Sequence, residues 1–300
     1  MITFHAPTLA DKPWLDERSA RARLRACEYN FVNIYLWQSV YCQQVCDLNG
    51  FALIRVCGVA GEAYLYPMGD GDMAAAVETL AADAAARGTP LRLVCVPIEG
   101  KALLERLFPG RFAFSSDRDG SDYLYLAIRL AEVAGKKLHN KRTHINRFVQ
   151  TNPDWSFEPI TPANLGDCRA VDAAWYRENL AEGESVRWEA DLLAQAFDEF
   201  SALGLEGGLL RAGGGRPVAF ALGRHMAGDT YDIHFEKALE SYAGAYAMIN
   251  REFARLIRAR HPDVVYLNRE DDLGLPGLRR SKESYYPDLM VEKWTAEEIR

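Results

Sequence analysis

The chain has 300 residues, 49% of them hydrophobic and 26% charged, and carries a formal net charge of −7. That balance is globular, and the length exceeds what one hydrophobic core usually fills, so two domains are expected. The acidic total excludes a surface that is basic throughout and grips nucleic acid or anionic lipid at every point. No window approaches the ~18 consecutive apolar residues of a membrane span. The N-terminus lacks the basic flank and apolar run of a secretory signal, so a cytoplasmic protein is expected. The cysteines are Cys27, Cys42, Cys46, Cys57, Cys95 and Cys168. Cys57 and Cys95 lie in apolar runs, and Cys42 and Cys46 have the spacing of one helical face without the Cys/His pair that zinc needs. Reduced thiols and no metal are expected.

In chain order, a charged helix around Asp16–Ala26 and an aromatic-rich stretch, Phe31–Val40, precede a hairpin. Its arms are Gln44–Leu48 and Phe51–Cys57, joined by Asn49-Gly50, a strong two-residue turn signal. A strand at Ala63–Tyr66, an alanine-rich helix running to Arg87, an apolar strand at Leu91–Val96, a helix at Gly100–Leu107 and a closing strand at Asp122–Ile128 follow. The second half repeats this order. A strand at Trp155–Ile160 and helices at Pro162–Leu180 and Glu189–Leu203 lead into three strands, Gly208–Arg211, Pro217–His225 and Thr230–Glu236. These are separated by Gly213-Gly214-Gly215, a hairpin turn, and by Ala227-Gly228-Asp229. A long helix ending near Arg260, a buried strand Val264–Leu267, a helix Gly277–Tyr285 and a last strand Leu289–Trp294 complete the chain. Three antiparallel strands feeding a strand–helix–strand crossover is the order of the N-acetyltransferase (GNAT) fold. The expected class is α/β (α+β): two tandem GNAT-like domains, each a mixed, mostly antiparallel sheet flanked by helices. The boundaries expected are 1–134, a basic linker helix at 135–150, and 151–300, the last carrying the active site.

Two regions concentrate charge. Lys136–Arg147 contains Lys136, Lys137, Lys141, Arg142 and Arg147 with His139 and His144, and no acid. With Leu138, Ile145 and Phe148 available for packing, it reads as a helix offering a basic stripe to phosphate. Arg251, Arg255 and Arg258 form a second stripe that reads as a solvated face. The other region is Asn268–Arg279, where Glu270, Asp271 and Asp272 follow a buried strand and precede Arg279, Arg280 and Lys282. The end of a core strand in an open α/β sheet is where such folds place sites. Asp232, His234 and Glu236 alternate along a strand and are expected on one side of it. Acyl transfer needs a base, for which His234 or Glu236 is the candidate, and charge stabilisation, for which Arg279, Lys282 or a backbone N–H serves. Glu270 and Asp271 are candidates to hold a cationic amino group, and Tyr285 is a candidate proton donor.

The spacing Gly277-Leu278-Arg279-x-x-Lys282-x-x-Tyr285-x-Pro287, ending at Trp294, resembles the C-terminal catalytic domain of bacterial phosphatidylglycerol lysyltransferases, and more closely the stand-alone proteins grouped with it. Asp122–Tyr125, Gly135–Phe148 (with Asn146), Asp232–Lys237 and Asn268–Asp271 match the same group. The resemblance implies tandem GNAT domains with the reaction in the second. It also implies an aminoacyl-tRNA donor, the class used by the membrane-bound relatives on phospholipid headgroups and by peptidoglycan-bridge enzymes. On that basis an aminoacyl group passes by direct attack to an amine or hydroxyl acceptor. Lys137, Lys141, Arg142, His144 and Asn146 are the donor-side candidates, with Asp232 and Asn268 at the site and Tyr242 and Gly244 in the donor loop. No tightly bound cofactor is expected. The loop Ser241–Tyr246 lacks the basic residue and paired glycines usual with acetyl-CoA, although an acyl-CoA donor remains the alternative. A non-catalytic ligand-binding tandem GNAT protein is the other.

Overall fold

The Asn49-Gly50 turn sets the register of the first sheet. In a computed structural model that describes residues 2–58, 61–179, 184–226 and 228–299 (side chains of 184–187 excepted), both turn residues have positive φ, 50° and 88°. That is the type I′ geometry that matches strand twist. Leu48 therefore faces Phe51, and Gln44 faces Arg55, across β1 (Gln44–Leu48) and β2 (Phe51–Gly58). Two further steps along the same register bring Cys42 to Cys57, and the two form a disulfide with Cα atoms 5.5 Å apart. This corrects the expectation of reduced thiols throughout. Cys46, the helical partner suggested by spacing, lies on β1 opposite Leu53 and is a free thiol.

Before the hairpin come α1 (Lys12–Ala22), α2 (Phe31–Leu36), which Asn30 caps through its side chain, and α3 (Gln38–Tyr41). After it, β3 (Gly61–Leu65) and the short β4 (Met68–Gly69) both pair with β2. Helix α4 (Met73–Ala86), capped by Asp72, crosses over to β5 (Arg92–Val96), which runs parallel to β3. Next are α5 (Ile98–Leu107) and β6 (Phe112–Ser116). The sequence gives little sign of β6, because most of its side chains are exposed and no apolar alternation marks it.

The strand at Asp122–Leu126 (β7) does not close this first sheet. It pairs with β12 and β13 of the second. The second half is built from α6 (Ala127–Glu132), α7 (His139–Thr151), β8 (Ser156–Pro159), α8 (Leu165–Glu178), α9 (Glu184–Asp198) and α10 (Phe200–Leu203). The antiparallel β9 (Glu206–Ala212), β10 (Arg216–His225) and β11 (Thr230–Ala238) follow. Then come α11 (Ala245–Arg260), β12 (Tyr266–Asn268), α12 (Pro276–Glu283), β13 (Leu289–Val291) and β14 (Trp294–Glu298). The expected helix end at Leu180 and the turn residue Ala227 lie outside the described residues.

Strand β14 leaves the second half and inserts between β5 and β6, giving sheet orders β1-β2-β3-β5-β14-β6 and β13-β7-β12-β11-β10-β9-β8. Each half lends one strand to the other, so the expected boundaries at 134 and 151 do not divide the strands between the sheets. The expected single last strand is two short ones, β13 and β14, in different sheets. One core joins the first sheet to α8, α9 and the Phe220–Leu222–Phe235 face of the second. The other lies between the second sheet and α6, α7 and α11. Ile145 and Phe148 anchor α7 in that second core, as the amphipathic pattern requires; burying each such side chain contributes about 2 kcal/mol.

The disulfide closes a 15-residue span, for which cross-linking contributes about 3 kcal/mol. A Cys42→Ser/Cys57→Ala variant is expected to lose about that much in urea unfolding, and reductant should destabilise the wild type but not the variant. Equal stability with and without reductant would remove the disulfide from the account.

Candidate active site at the splayed strands

Strands β11 and β12 pair in parallel over three residues, ending at Asp232 opposite Asn268. Beyond that point β11 continues along β10 to Ala238, while the chain after Asn268 follows β7 through Arg269 N–H to Tyr123 C=O, 3.0 Å. A gap opens between the two strands, and the charged residues singled out in the sequence lie along it.

A bulge sorts them. Leu222 faces Phe235 but Gly223 faces Ile233, which leaves His234 without a cross-strand partner. A bulged residue reverses the side-chain alternation beyond it. Asp232 and His234 consequently share one face, while Glu236 turns to the opposite face, against α11. The expectation that all three point one way is corrected.

On the first face, His234 Nδ1 lies 3.1 Å from Glu270 Oε1 and 3.6 Å from Asp232 Oδ2. With carboxylates on that side, the Nδ1–H tautomer is the one the partners select. Its Nε2 is buried and has no hydrogen-bond partner among the described residues. Glu270 also accepts from Asn33 Nδ2 at 3.0 Å, and Asp232 accepts from Asn30 Nδ2 at 3.4 Å. Glu270 has a left-handed backbone, φ 57°, held by its N–H donating to Asn268 Oδ1 at 2.7 Å. Burial, then the nearby Glu270 and Asp122, push the Asp232 carboxyl well above the usual carboxylate range. The ligand-type atoms of Asp232, His234 and Glu270 all lie within 4.8 Å of one another, a grouping with the donors to hold a cation.

Next to them sits a buried ion cluster. Lys293 Nζ lies 2.6 Å from Asp122 Oδ1, 2.7 Å from Glu28 Oε1 and 3.8 Å from Asp271 Oδ2. Asp122 Oδ2 accepts from the Cys27 backbone N–H at 2.8 Å and from Asn268 Nδ2 at 3.0 Å. Burial disfavours the Lys293 ammonium, but Asp122, Cys27, Glu28 and Asp271 outweigh it and hold its pKa well above the usual value. Burial pushes the Asp271 carboxyl up to about 7, with Lys293 opposing.

On the opposite face, Glu236 bonds Arg269 at 2.9 Å and Asn250 at 3.0 Å. Arg269 lies over the Tyr285 ring, and Lys141 of α7 sits 3.8 Å from the same ring. Burial lowers Lys141 to about 8, and Arg269 adds to the effect. Lys282 donates to the backbone carbonyls of Arg269 and Asp271 and so secures the loop. Arg279 is engaged by Asp272, at 2.8 and 2.7 Å, and by Asp119 at 2.6 Å, in a network that Arg118 and Tyr123 join. That network clamps the turn before α12 and leaves the guanidinium no surplus charge for a reacting group. Arg142 donates to the carbonyls of Val133 and Gly135 at 2.7 and 2.6 Å. Lys137 precedes α7 and lies 5.4 Å from the Tyr286 ring, while His144 and Asn146 are exposed on α7. Gly244, φ 91°, starts α11, and Tyr242 packs one turn earlier.

The gap thus gathers Asp232, His234, Asn268, Glu270 and Asp271 on one face and Glu236, Lys141 and Tyr285 on the other. Lys282 and Arg142 hold backbone carbonyls, and Arg279 is spent on the carboxylates of Asp272 and Asp119. Cys27, Glu28, Asn30, Asn33 and Lys293 were not singled out by the sequence, and Asp122 and Arg269 only as part of matching motifs. The first four come from a segment more than 200 residues away in the chain from His234, so no local pattern reports them.

The model of the family described as "Phosphatidylglycerol lysyltransferase, C-terminal" matches residues 19–297. The chain belongs to this family. A conserved protein of unknown function from Bacteroides thetaiotaomicron VPI-5482 is 38% identical over 100% of both chains, with a TM-score of 0.94. L-PGS from Bacillus licheniformis shares the fold at 15% identity, covering 99% of this chain and 94% of that one with a TM-score of 0.68. An uncharacterised protein of Mycoplasmoides gallisepticum is 22% identical over 189 residues, and the match spans 60% of this chain and 56% of that protein. The tandem GNAT arrangement expected from the sequence is the fold observed. No described helix is long and apolar enough to cross a membrane.

Between pH about 4 and 7 the folded family member keeps a proton on Asp271 that the unfolded chain releases, so stability falls as pH rises through that window. The full interval corresponds to at most about 4 kcal/mol. Asp271→Asn should flatten this slope and stabilise the protein at pH ~8 relative to wild type. Denaturant midpoints measured at pH ~5 and ~8 check it, and parallel slopes in the two proteins would contradict it.

Proposed function

We propose that the protein transfers an aminoacyl group from tRNA to an amine or hydroxyl acceptor by direct attack in the gap between β11 and β12, with His234 as general base. The observation that carries this reading is the buried, unpartnered Nε2 of His234, on an imidazole oriented from behind by Glu270. A base needs an available lone pair and a fixed tautomer, and this pairing supplies both. In the step proposed, His234 Nε2 takes the proton as the acceptor N or O bonds to the ester carbonyl carbon. The carbon–oxygen bond to the ribose then breaks, and the proton passes from the imidazolium to the departing ribose oxygen. Glu28 and Asp122 outnumber the Lys293 ammonium they hold, and Glu270 adds a further carboxylate beside His234, which favours a cationic group such as the α-ammonium of an aminoacyl donor.

Family membership and the exposed Lys136, Lys137 and Arg147 of the acid-free run favour tRNA as the carrier. A further observation disfavours acyl-CoA. Helix α7 presses the His144 backbone carbonyl against Gly244, where any Cβ would overlap that oxygen. A carbonyl dipole and a packed helix at the start of α11 are poor company for a diphosphate.

His234→Ala should lower kcat by about 10²- to 10⁴-fold with the fold intact by circular dichroism. Unchanged turnover would remove His234 as base. Binding of aminoacylated bulk tRNA should weaken steeply with salt. Replacing exposed Lys136, Lys137 and Arg147 with serine should reduce the salt slope by about one for each phosphate no longer neutralised. Salt-insensitive binding, or none, would exclude this donor surface.

A further inference from the structure

The chain has five glutamines: Gln38, Gln43, Gln44, Gln150 and Gln195. Four of them, all but Gln150, line one open cavity of about 440 Å³ between the α3–β1 segment and α9. Among the described residues, no side chain lining that cavity is ionisable, since its one cysteine is Cys42 of the disulfide, in a protein with 26% charged residues. The size is that of a small-molecule site.

The partners of these amides fix their orientations. Gln38 Nε2 donates to the Tyr35 carbonyl at 2.8 Å, Gln43 Nε2 to the Asn33 carbonyl at 3.5 Å, and Gln195 Nε2 to the Glu199 carboxylate at 3.4 Å. Gln44 instead accepts from Arg55 through Oε1. An amide nitrogen must face a carbonyl or carboxylate oxygen, and an amide oxygen must face a guanidinium, so none of the four can be flipped without losing its bond. Three of the glutamines are therefore tied down by their nitrogens and keep their oxygens for another donor. Gln43 is 7% exposed, and its Oε1 is buried with no partner among the described residues. An unmet acceptor of this kind costs about 1–3 kcal/mol unless a ligand or water satisfies it.

The cavity is wired to the candidate active site. Gln43 bonds the backbone of Asn33, the Asn33 side chain bonds Glu270 at 3.0 Å, and Glu270 bonds His234 at 3.1 Å. We infer that this glutamine-lined cavity binds the acyl acceptor, and that the acceptor presents to it an uncharged group rich in N–H or O–H donors, a hydroxyl-bearing or amide-bearing moiety and not a phosphate or carboxylate. An anion would meet several amide oxygens there and no cation among the described residues. The role as acceptor rests on the transferase reading above, whereas the ligand chemistry rests on the cavity alone.

Ligand-observed NMR on the full chain tests the assignment with three probes: methyl β-glucoside, N-acetylglycinamide and glycerol 3-phosphate. At least one neutral probe should bind, and glycerol 3-phosphate should bind at least tenfold more weakly than it. The first two probes distinguish a hydroxyl source from an amide source. Gln43→Leu should weaken the neutral probe about three- to tenfold, the effect of one uncharged hydrogen bond. Gln38→Leu, at a half-buried position that tolerates the change, should do the same if Gln43→Leu does not fold. Binding of glycerol 3-phosphate as tight as the neutral probes, no binding of either neutral probe, or neutral binding indifferent to both substitutions would overturn the inference. Loss of probe binding with salt-sensitive tRNA binding retained condemns the cavity assignment alone, and the reverse pattern condemns the donor.

Discussion

The buried contact between Asp122 and Lys293 is the point on which the rest of the structure turns. Asp122 opens β7, the strand that the first half lends to the second sheet, and Lys293 immediately precedes β14, the strand lent in return. The two segments pass one another there, and Asp122 is itself paired with Val291. A carboxylate and an ammonium removed from water each carry a large desolvation penalty, so either one left alone would be strongly destabilising. With Glu28 and Asp271 beside them, each lent strand completes the charge balance of the other. The crossing thereby becomes an interlock between halves and fixes the distance from α2 to the end of β12.

That interlock explains why the candidate site is assembled from both halves. Asn30 and Asn33, at the start of α2, reach Asp232 and Glu270 on the second sheet, and Cys27 donates its backbone N–H to Asp122. The splay between β11 and β12 then needs side chains to bridge it, since backbone pairing has ended. His234 with Glu270 spans it on one face and Glu236 with Arg269 on the other. One bulged residue makes the difference between a single crowded row of three polar groups and two separate bridges. The imidazole is left with one nitrogen engaged and the other available.

Much of the fold was legible in particular residues. Asn49-Gly50 announced a hairpin because only residues tolerant of positive φ fit such a turn, and its register extends to the Cys42–Cys57 pair, a consequence that helical spacing with Cys46 had obscured. Ile145 and Phe148 announced the buried face of α7 through their spacing. Leu93 and Leu267 announced the central strands. Strand β6 was not legible, because its side chains are mostly exposed. The destination of β7 and β14 was not legible either, because strand backbone satisfies its hydrogen bonds equally well beside either half.

At the site, the sequence by itself determined which residue types were available: the carboxylates after β12, the imidazole on β11 and the acid-free helix between the halves. Their order along the chain was enough for the family and for the tandem fold. Tertiary structure alone decided their partners. It turned Glu236 away from His234, gave Arg279 and Lys282 to the backbone and to other charges, and brought in Asn30, Asn33, Lys293 and the four glutamines. The reason is that side-chain periodicity and turn chemistry act over a few residues, whereas burial of a charge is settled by whatever long-range contact can neutralise it.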